Sequence, residues 1–187
     1  GITVGTLSDS FNCLGQVAAD VASGDLPPGI QVLDDSACPS GTDEGRAMMQ
    51  LITDIAPGAN QAFHTAFGGQ PVFAQGILDL ANAGCNVLVD DVIYFVEPMF
   101  QDGIIAQAVD AVVDSGVAYF SSAGNQDRRS YESAYRSSGI SITIDDIPFG
   151  VAHDFDPGGG LDIYQSITIP GNTSLAVSFQ WDSPYFS

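Results

Sequence analysis

The chain has 187 residues, and 23 acidic side chains against four arginines and no lysine give it a formal net charge of −19. So acidic a surface repels phosphate backbones and anionic lipid, which argues against nucleic acid or a membrane surface as a partner. No apolar run approaches the ~20 residues that a membrane-spanning helix needs, so membrane insertion is not expected.

The first three quarters of the chain alternate strand and helix patterns. Strands are predicted at residues 2–7, 30–33, 61–67, 86–92 and 117–120, and helices at 14–22, 42–55, 71–83 and 104–113. Apolar strands separated by helices predict one mostly parallel sheet with helices on both faces. The expected fold class is therefore α/β.

The helix predicted at residues 42–55 has the clearest signals. Thr42 is a good N-cap, and acidic residues at its start favour the positive end of the helix dipole. Apolar residues at helical spacing predict the buried stripe of this helix: Ala47, Met48, Leu51, Ile52 and Ile55.

From about residue 138 the helix patterns end. Residues 140–144, 163–169 and 175–179 alternate apolar and polar side chains, and a Pro-Gly-Asn turn separates the last two segments. This pattern predicts an antiparallel β module over residues 138–187 that follows an α/β domain over residues 1–137. The module is either appended or inserted, and it could be part of a β-sandwich.

Three polar residues lie close to the predicted strand ends, where open α/β sheets bind ligands and carry catalytic groups. Asp9 follows the first strand, at the sheet edge where catalytic groups gather, although an aspartate there is also a common turn former. Glu44 begins a helix, and its simpler interpretation is a helix-start acid. Asn125 follows the fifth strand, where it would donate to a developing oxyanion or only adopt a left-handed turn.

Taken together, these segments resemble the subtilisin-like serine peptidases and the related sedolisin-like peptidases. Residues 4–10, VGTLSDS, resemble the first-strand motif that ends in the catalytic aspartate. Residues 41–48, GTDEGRAM, followed by APGA at 56–59, resemble the active-site helix and the turn after it. Residues 121–125, SSAGN, resemble the segment that carries the oxyanion asparagine. The resemblance covers about residues 1–135 and implies a subtilisin-like sheet with Asp9, Glu44 and Asn125 as catalytic residues.

The expected catalytic base differs from both families. Glu44 stands where subtilisin-like enzymes carry histidine, while sedolisin-like enzymes carry glutamate there with an aspartate four residues later, a position occupied here by Met48. A base relay would then pair Asp9 with Glu44, and we expect their carboxyls about 2.5–3.5 Å apart, or bridged by water, and sharing a proton. Neither His64, in mid-strand, nor His153 is expected to supply a triad histidine.

The nucleophile of both families lies in a Gly-Thr-Ser-type motif far downstream. The sequence contains no Gly-Thr-Ser and no Gly-x-Ser-x-Gly elbow. The expected function is therefore the N-terminal portion of a serine endopeptidase domain, which hydrolyses peptide bonds through an acyl-enzyme when residues beyond Ser187 supply the serine. The alternative is a catalytically inactive pseudopeptidase scaffold that binds protein partners in an extracellular or surface assembly. A nucleotide-binding domain is disfavoured, because no Gly-x-Gly-x-x-Gly or Walker sequence follows a strand.

The fourth predicted strand carries candidates for substrate binding. Asp90 and Asp91 interrupt its apolar run, and the resemblance places this strand beside the substrate cleft. Tyr94 would line a pocket for a peptide or protein substrate. The alternatives are that one carboxylate only accepts hydrogen bonds at the strand end, and that the tyrosine belongs to the core.

The three cysteines cannot all pair within one chain. Cys13 and Cys38 lie in polar, turn-rich stretches and either form a disulfide or remain free. Cys85 begins an apolar run and is expected to be a small buried residue. The lysine-free, aspartate-rich composition is typical of a salty or extracellular setting, so we expect a secreted or cell-surface protein.

The resemblance requires no cofactor, but one segment could hold calcium. Asp154, Asp156 and Asp162 surround a run of three glycines and could supply oxygen ligands for Ca²⁺. Their spacing does not match an EF-hand loop, and the alternative is a solvated acidic turn.

Overall fold

The computed structural model describes residues 1–182. Its strands are β1 (Thr3–Ser8), β2 (Gln31–Asp34), β3 (Asn60–Thr65), β4 (Val87–Asp90), β5 (Ala118–Ser121), β6 (Ser137–Ile144) and β7 (Ile147–His153). Its helices are α1 (Val17–Ser23), α2 (Glu44–Ile55), α3 (Gln70–Asn82) and α4 (Ile104–Asp114). Strands β1 to β5 form a parallel sheet in the order β2-β3-β1-β4-β5, which confirms the predicted α/β class. No helix in this range is long and apolar enough to cross a membrane.

The chain forms two compact units. One comprises residues 1–125 together with the residues from Ser178, and the other comprises residues 126–177. The second unit is an insertion in chain order, because the chain rejoins the first unit at Ser178. The change of pattern near residue 138 lies inside this insertion, where β6 begins.

The first unit has a hydrophobic core on each face of its sheet. Helices cover both faces, which explains why the central strands are buried and apolar. The larger core lies under α3 and α4 and includes Leu7, Ile77, Leu80 and Leu88, each with no exposed surface. The smaller core lies under α1 and α2 and includes Phe11, Leu26, Met49 and Phe63.

Strand β1 occupies the centre of the sheet and has a different chemistry on each face. Leu7 enters the larger core, whereas Thr6 and Ser8 point to the face covered by α2. The carboxyl ends of parallel strands meet at one edge, so Asp9, directly after β1, and Asp90, the last residue of β4, lie at that edge on neighbouring strands.

Helix α2 buries a different face from the predicted one. Its buried residues are Gly45, Met49 and Thr53, whereas Leu51 and Ile55 are 63% and 86% exposed. The predicted stripe is therefore wrong. Periodicity shows that a helix has an apolar face, but contacts with the sheet decide which face is buried.

Two contacts fix the orientation of α2. A Cβ added at Gly45 would lie 2.5 Å from the ring of Phe63, so only glycine allows this close approach. The Gln61 side-chain amide donates to the Met49 carbonyl at 3.1 Å and to the Thr53 hydroxyl at 2.8 Å. These contacts rotate the apolar stripe away from the sheet.

The second unit contains one antiparallel hairpin, β6–β7. Asp145 and Asp146 connect its strands with φ values of 49° and 63°, and a two-residue turn with φ above zero at both positions matches the twist of a hairpin. The strands predicted at 163–169 and 175–179 are wrong, since neither segment forms one. Alternation alone does not form a strand without a partner. Strand β7 was missed because Pro148 and Gly150 are residues that disfavour a strand, although Ile147, Phe149 and Val151 alternate within it.

Candidate functional site

The carboxylate of Asp9 caps the N-terminus of α2. It accepts hydrogen bonds from the main-chain N–H groups of Ser10 at 2.5 Å, Glu44 at 2.9 Å and Gly45 at 3.4 Å. It also accepts the N–H of Thr42 and, at 2.8 Å, the hydroxyl of the same residue. A helix start carries unpaired N–H groups and a partial positive charge. One carboxylate can accept hydrogen bonds from these N–H groups and also interact favourably with the positive charge.

These hydrogen bonds decide the charge of Asp9. Burial alone would raise its pKa, but the hydrogen bonds from Thr42, Ser10 and Gly45 outweigh burial and hold the pKa below its ordinary value of 3.8. Asp9 is therefore ionised near neutral pH and does not hold the proton that the predicted carboxyl pair would share. Its contact with Glu44 runs through the main-chain N–H, and the Glu44 side chain is exposed.

The N-cap of α2 also differs from the prediction. Asp43 occupies the N-cap position and the helix begins at Glu44, whereas Thr42 was expected to cap it. The Thr42 hydroxyl instead donates to Asp9. The Asp9 carboxylate accepts the first N–H groups of α2, which a local cap would otherwise have accepted.

Asp43 is a structural carboxylate, although its place in the sequence indicates only a helix-start acid. It is 3% exposed, and it accepts the N–H groups of Cys13 at 2.7 Å and Leu14 at 3.0 Å and the Ser10 hydroxyl at 3.1 Å. Arg46 pairs with it at 3.0 Å. An acid one helical turn before an arginine is the signal in the sequence that could have indicated this pair.

A disulfide joins Cys13 and Cys38, whose Cα atoms are 5.1 Å apart. It connects the loop after β1 with the loop after β2. Asp35 reinforces this connection, because its carboxylate accepts two main-chain N–H groups of the first loop at 2.9 Å each. Cys85 is a free, buried cysteine, and burial raises the pKa of its thiol to about 11.

Asp90 faces the side of the sheet covered by α3 and α4. Its carboxylate accepts the hydroxyl of Tyr119 at 2.7 Å, the hydroxyl of Ser121 at 2.9 Å and the N–H of Val92 at 3.2 Å. Burial raises the pKa of Asp90, and these three donors oppose the rise. Tyr119 and Ser121 were not identified from the sequence, because only the register of β4 against β5 brings them to Asp90.

Asp91 faces the opposite side, towards the start of α2. Its Oδ1 atom is buried without a hydrogen-bond partner among the described residues. Burial is the main cause that raises the pKa of Asp91; the nearby Ser8 hydroxyl opposes this rise, and the negative charges of Glu44 and Asp9 add to it. Of the two adjacent aspartates, Asp91 is the one whose pKa is raised by the charges of both candidate catalytic carboxylates.

Tyr94 and Asp90 line one pocket of about 380 Å³ at the carboxyl ends of β4 and β5. The Tyr94 hydroxyl donates to the Ala66 carbonyl at 2.6 Å, and its ring centre lies 5.8 Å from that of Phe73. Both contacts hold the tyrosine ring in the wall of the pocket.

Asn125 lies in the exposed turn that follows β5, directly after Gly124 with its φ of 80°. This placement agrees with the predicted strand-to-turn transition. The role of Asn125 in binding an oxyanion stays a prediction.

The predicted calcium residues are engaged in a local turn. Asp154 Oδ1 accepts the N–H groups of Asp156 and Asp162, each at 3.0 Å. Within residues 1–182, the cluster of possible metal ligands is Cys13, Asp35 and Cys38, whose sulfurs form the disulfide. The three aspartates are not in such a cluster, and calcium binding stays a prediction.

The fold and this geometry define an α/β protein in which an aspartate from the central strand caps the neighbouring helix. No protein-family model and no curated protein matches the sequence. Among solved structures, the chain is similar to the self-cleaved protease domain of PatA, with 22% identity and a TM-score of 0.44. The matched region covers 67% of this chain and 50% of that one, so this chain spans half the length of the structure it matches.

Proposed function

We propose that the chain is the N-terminal portion of a subtilase-type serine endopeptidase domain, with Asp9, Glu44 and Asn125 in its active site. One observation carries the proposal: the Asp9 carboxylate at the end of β1 holds the N–H of Glu44 at 2.9 Å. This bond fixes the first residue of α2 at the carboxyl edge of the central strand, where α/β sheets place their reactive groups.

In this proposal Glu44 is the general base. The oxygen of a serine attacks the peptide carbonyl carbon while its proton passes to the Glu44 carboxylate, and Asn125 donates to the resulting oxyanion. Glu44 then gives the proton to the leaving amine, which leaves an acyl-enzyme that water hydrolyses by the same route. Asp9 stays ionised and positions Glu44 through its main chain.

The serine must come from a segment outside these 187 residues. Exposed apolar side chains lie on both α2 and β5: Leu51 on α2 is 63% exposed, and Phe120 on β5 is 61% exposed. The strand register aligns Phe120 with Val89 and Thr6, so Phe120 lies on the sheet face that carries α2. The proposal assigns this surface to the serine-bearing segment.

The test is reconstitution with a downstream segment of the parent protein that carries a Gly-Thr-Ser-type motif. We expect hydrolysis of a fluorogenic peptide and a loss of at least about 100-fold in kcat for Glu44→Gln. Glu132→Gln, an exposed glutamate of the second unit, is the matched control and should retain full activity. Full activity of Glu44→Gln would exclude Glu44 as the base.

The second candidate is a catalytically inactive scaffold that binds protein partners outside the cell. The exposed apolar side chains on α2 and β5 favour it, because they offer a surface to a protein partner. The Cys13–Cys38 disulfide supports an extracellular setting for either candidate. A reconstituted domain that folds but hydrolyses no peptide would favour the scaffold.

A further inference from the structure

The pocket at the ends of β4 and β5 is strongly acidic. Asp90, Glu97 and Asp110 line it, and within the described range neither lysine nor arginine does. The arginine of the first unit, Arg46, is instead paired with acids near α2. The pocket therefore has negative charge and no internal counter-ion.

Asp90 supplies the deepest of these charges. It is 3% exposed, and its side-chain donors, Tyr119 and Ser121, are neutral hydroxyls. Hydrogen bonds of this kind satisfy the oxygens but leave the charge uncompensated, which is unfavourable in a buried site. A cation that entered the pocket would relieve this penalty.

Glu97 is held in the pocket wall by the start of α4. Its Oε1 atom accepts the N–H groups of Ile105 at 3.2 Å and Ala106 at 3.1 Å, and its Oε2 atom accepts the Gln70 amide at 2.5 Å. A Cβ at Gly103 would approach both the Glu97 carboxylate and Pro98 Cδ closely, so the glycine leaves room for the glutamate at the start of α4. The second carboxylate is thus fixed in position, while Asp110 lies exposed further along α4.

Apolar and aromatic residues line the same pocket as the acids. The wall residues are Phe73, Tyr94, Ile105, Val109 and Tyr119. Aromatic rings attract cations, and apolar walls pack against the methylene stem of a long basic side chain. A volume of about 380 Å³ accommodates one such side chain.

We propose that this pocket binds a basic side chain of a peptide, an aliphatic stem that ends in a guanidinium or ammonium group. The proposal rests on the proposed function, because it makes arginine- or lysine-containing peptides the substrate class of the same domain. Asp90 and Glu97 would bind the charged end, and Tyr94 and Tyr119 would enclose the stem.

The test is a titration of the 187-residue chain with Nα-acetyl-arginine methylamide, followed through the NMR signals of the tyrosine rings. The norleucine analogue has a similar stem without the charge. We expect saturable binding of the arginine compound, at least tenfold weaker binding of the norleucine compound, and at least a tenfold loss of arginine affinity in Asp90→Asn. Asp110→Asn at the exposed part of the pocket should weaken binding less, and Asp114→Asn, on α4 outside the pocket, should not change it.

Should Asp90→Asn fail to fold, the comparison between Asp110→Asn and Asp114→Asn decides in its place. Equal affinity for the arginine and norleucine compounds, or no saturable binding of either, would overturn the proposal. Selective arginine binding together with no hydrolysis after reconstitution would retain the pocket and reject the peptidase. Hydrolysis without preference for basic residues would reject the pocket alone.

Discussion

The main-chain N–H of Glu44 donates a 2.9 Å hydrogen bond to the carboxylate of Asp9. Because of this bond, the end of β1 and the start of α2 form one polar junction, although 35 positions separate the two residues in the sequence. The same carboxylate also accepts the main-chain N–H groups of Thr42 and Gly45, so the junction depends on the Asp9 side chain.

Replacement of Asp9 by alanine should destabilise the fold by about 1–3 kcal/mol, because α2 loses its cap and several N–H groups lose their acceptor. Urea denaturation followed by circular dichroism measures the loss. Asp54→Ala, an exposed position of the same helix, should change the free energy of unfolding by less than about 0.5 kcal/mol. Equal effects of the two substitutions would contradict a capping role for Asp9.

Asp9 and Asp90 should affect stability in opposite directions as the pH changes. The pKa of Asp9 is lowered in the fold, so ionised Asp9 stabilises the fold above its ordinary pKa of 3.8, and this contribution is lost as the pH falls through the lowered value. The pKa of Asp90 is raised, so its ionisation destabilises the fold as the pH rises above 3.8.

Denaturation at a series of pH values tests both signs. The stability difference between the unmodified chain and Asp9→Asn should shrink as the pH falls below about 4. Asp90→Asn should gain stability relative to the unmodified chain as the pH rises from about 4. Parallel pH profiles for the two variants would show that the assigned pKa directions are wrong.

Gly45→Ala should destabilise the chain by about 1–3 kcal/mol through overpacking. The new Cβ would lie 2.5 Å from the Phe63 ring and 2.8 Å from the Ser10 carbonyl oxygen. Gly58→Ala is the matched control, because a Cβ there meets nothing within 4 Å. Thermal unfolding distinguishes them: a lowered melting temperature is expected for Gly45→Ala alone, and an unchanged one would mean that α2 does not pack this closely.

The alternation of strands and helices was sufficient to predict the sheet, because each element carries its own apolar periodicity. It was not sufficient to predict which face of α2 is buried. Gly45 and Gln61 decide that face, and they act through contacts between α2 and β3. Leu51 and Ile55 satisfied the helical pattern and are nevertheless exposed.

The polar sites show the same limit. Asp9, Glu44 and Asp90 could be selected because each begins or ends a predicted element, but their partners depend on strand register. Ser121 reaches Asp90 only because β5 pairs with β4 at that position. Asp90 and Asp91, which look equivalent in the sequence, face opposite sides of the sheet because successive side chains alternate along an extended chain.

Removal of the disulfide in a Cys13→Ser/Cys38→Ser variant should reduce stability by about 3 kcal/mol, since the bond closes a loop with a sequence separation of 25. Alkylation with iodoacetamide tests the thiols directly. The folded, unreduced chain should react slowly, because Cys85 is buried and its pKa of about 11 keeps it protonated. Rapid labelling of Cys13 and Cys38 before reduction would show that the bond is absent.

Strand β5 has a consequence for how the isolated chain behaves in solution. In the described part of the chain it pairs on one side only, with β4, and its Phe120 is 61% exposed. An unpaired strand edge next to an apolar side chain is a template for pairing with another copy, and the net charge of −19 opposes that encounter by repulsion. Salt reduces the range of this repulsion from about 10 Å at 0.1 M to about 3 Å at 1 M. Ionic strength therefore controls whether purified copies remain dispersed in dilute buffer or assemble edge to edge in concentrated salt.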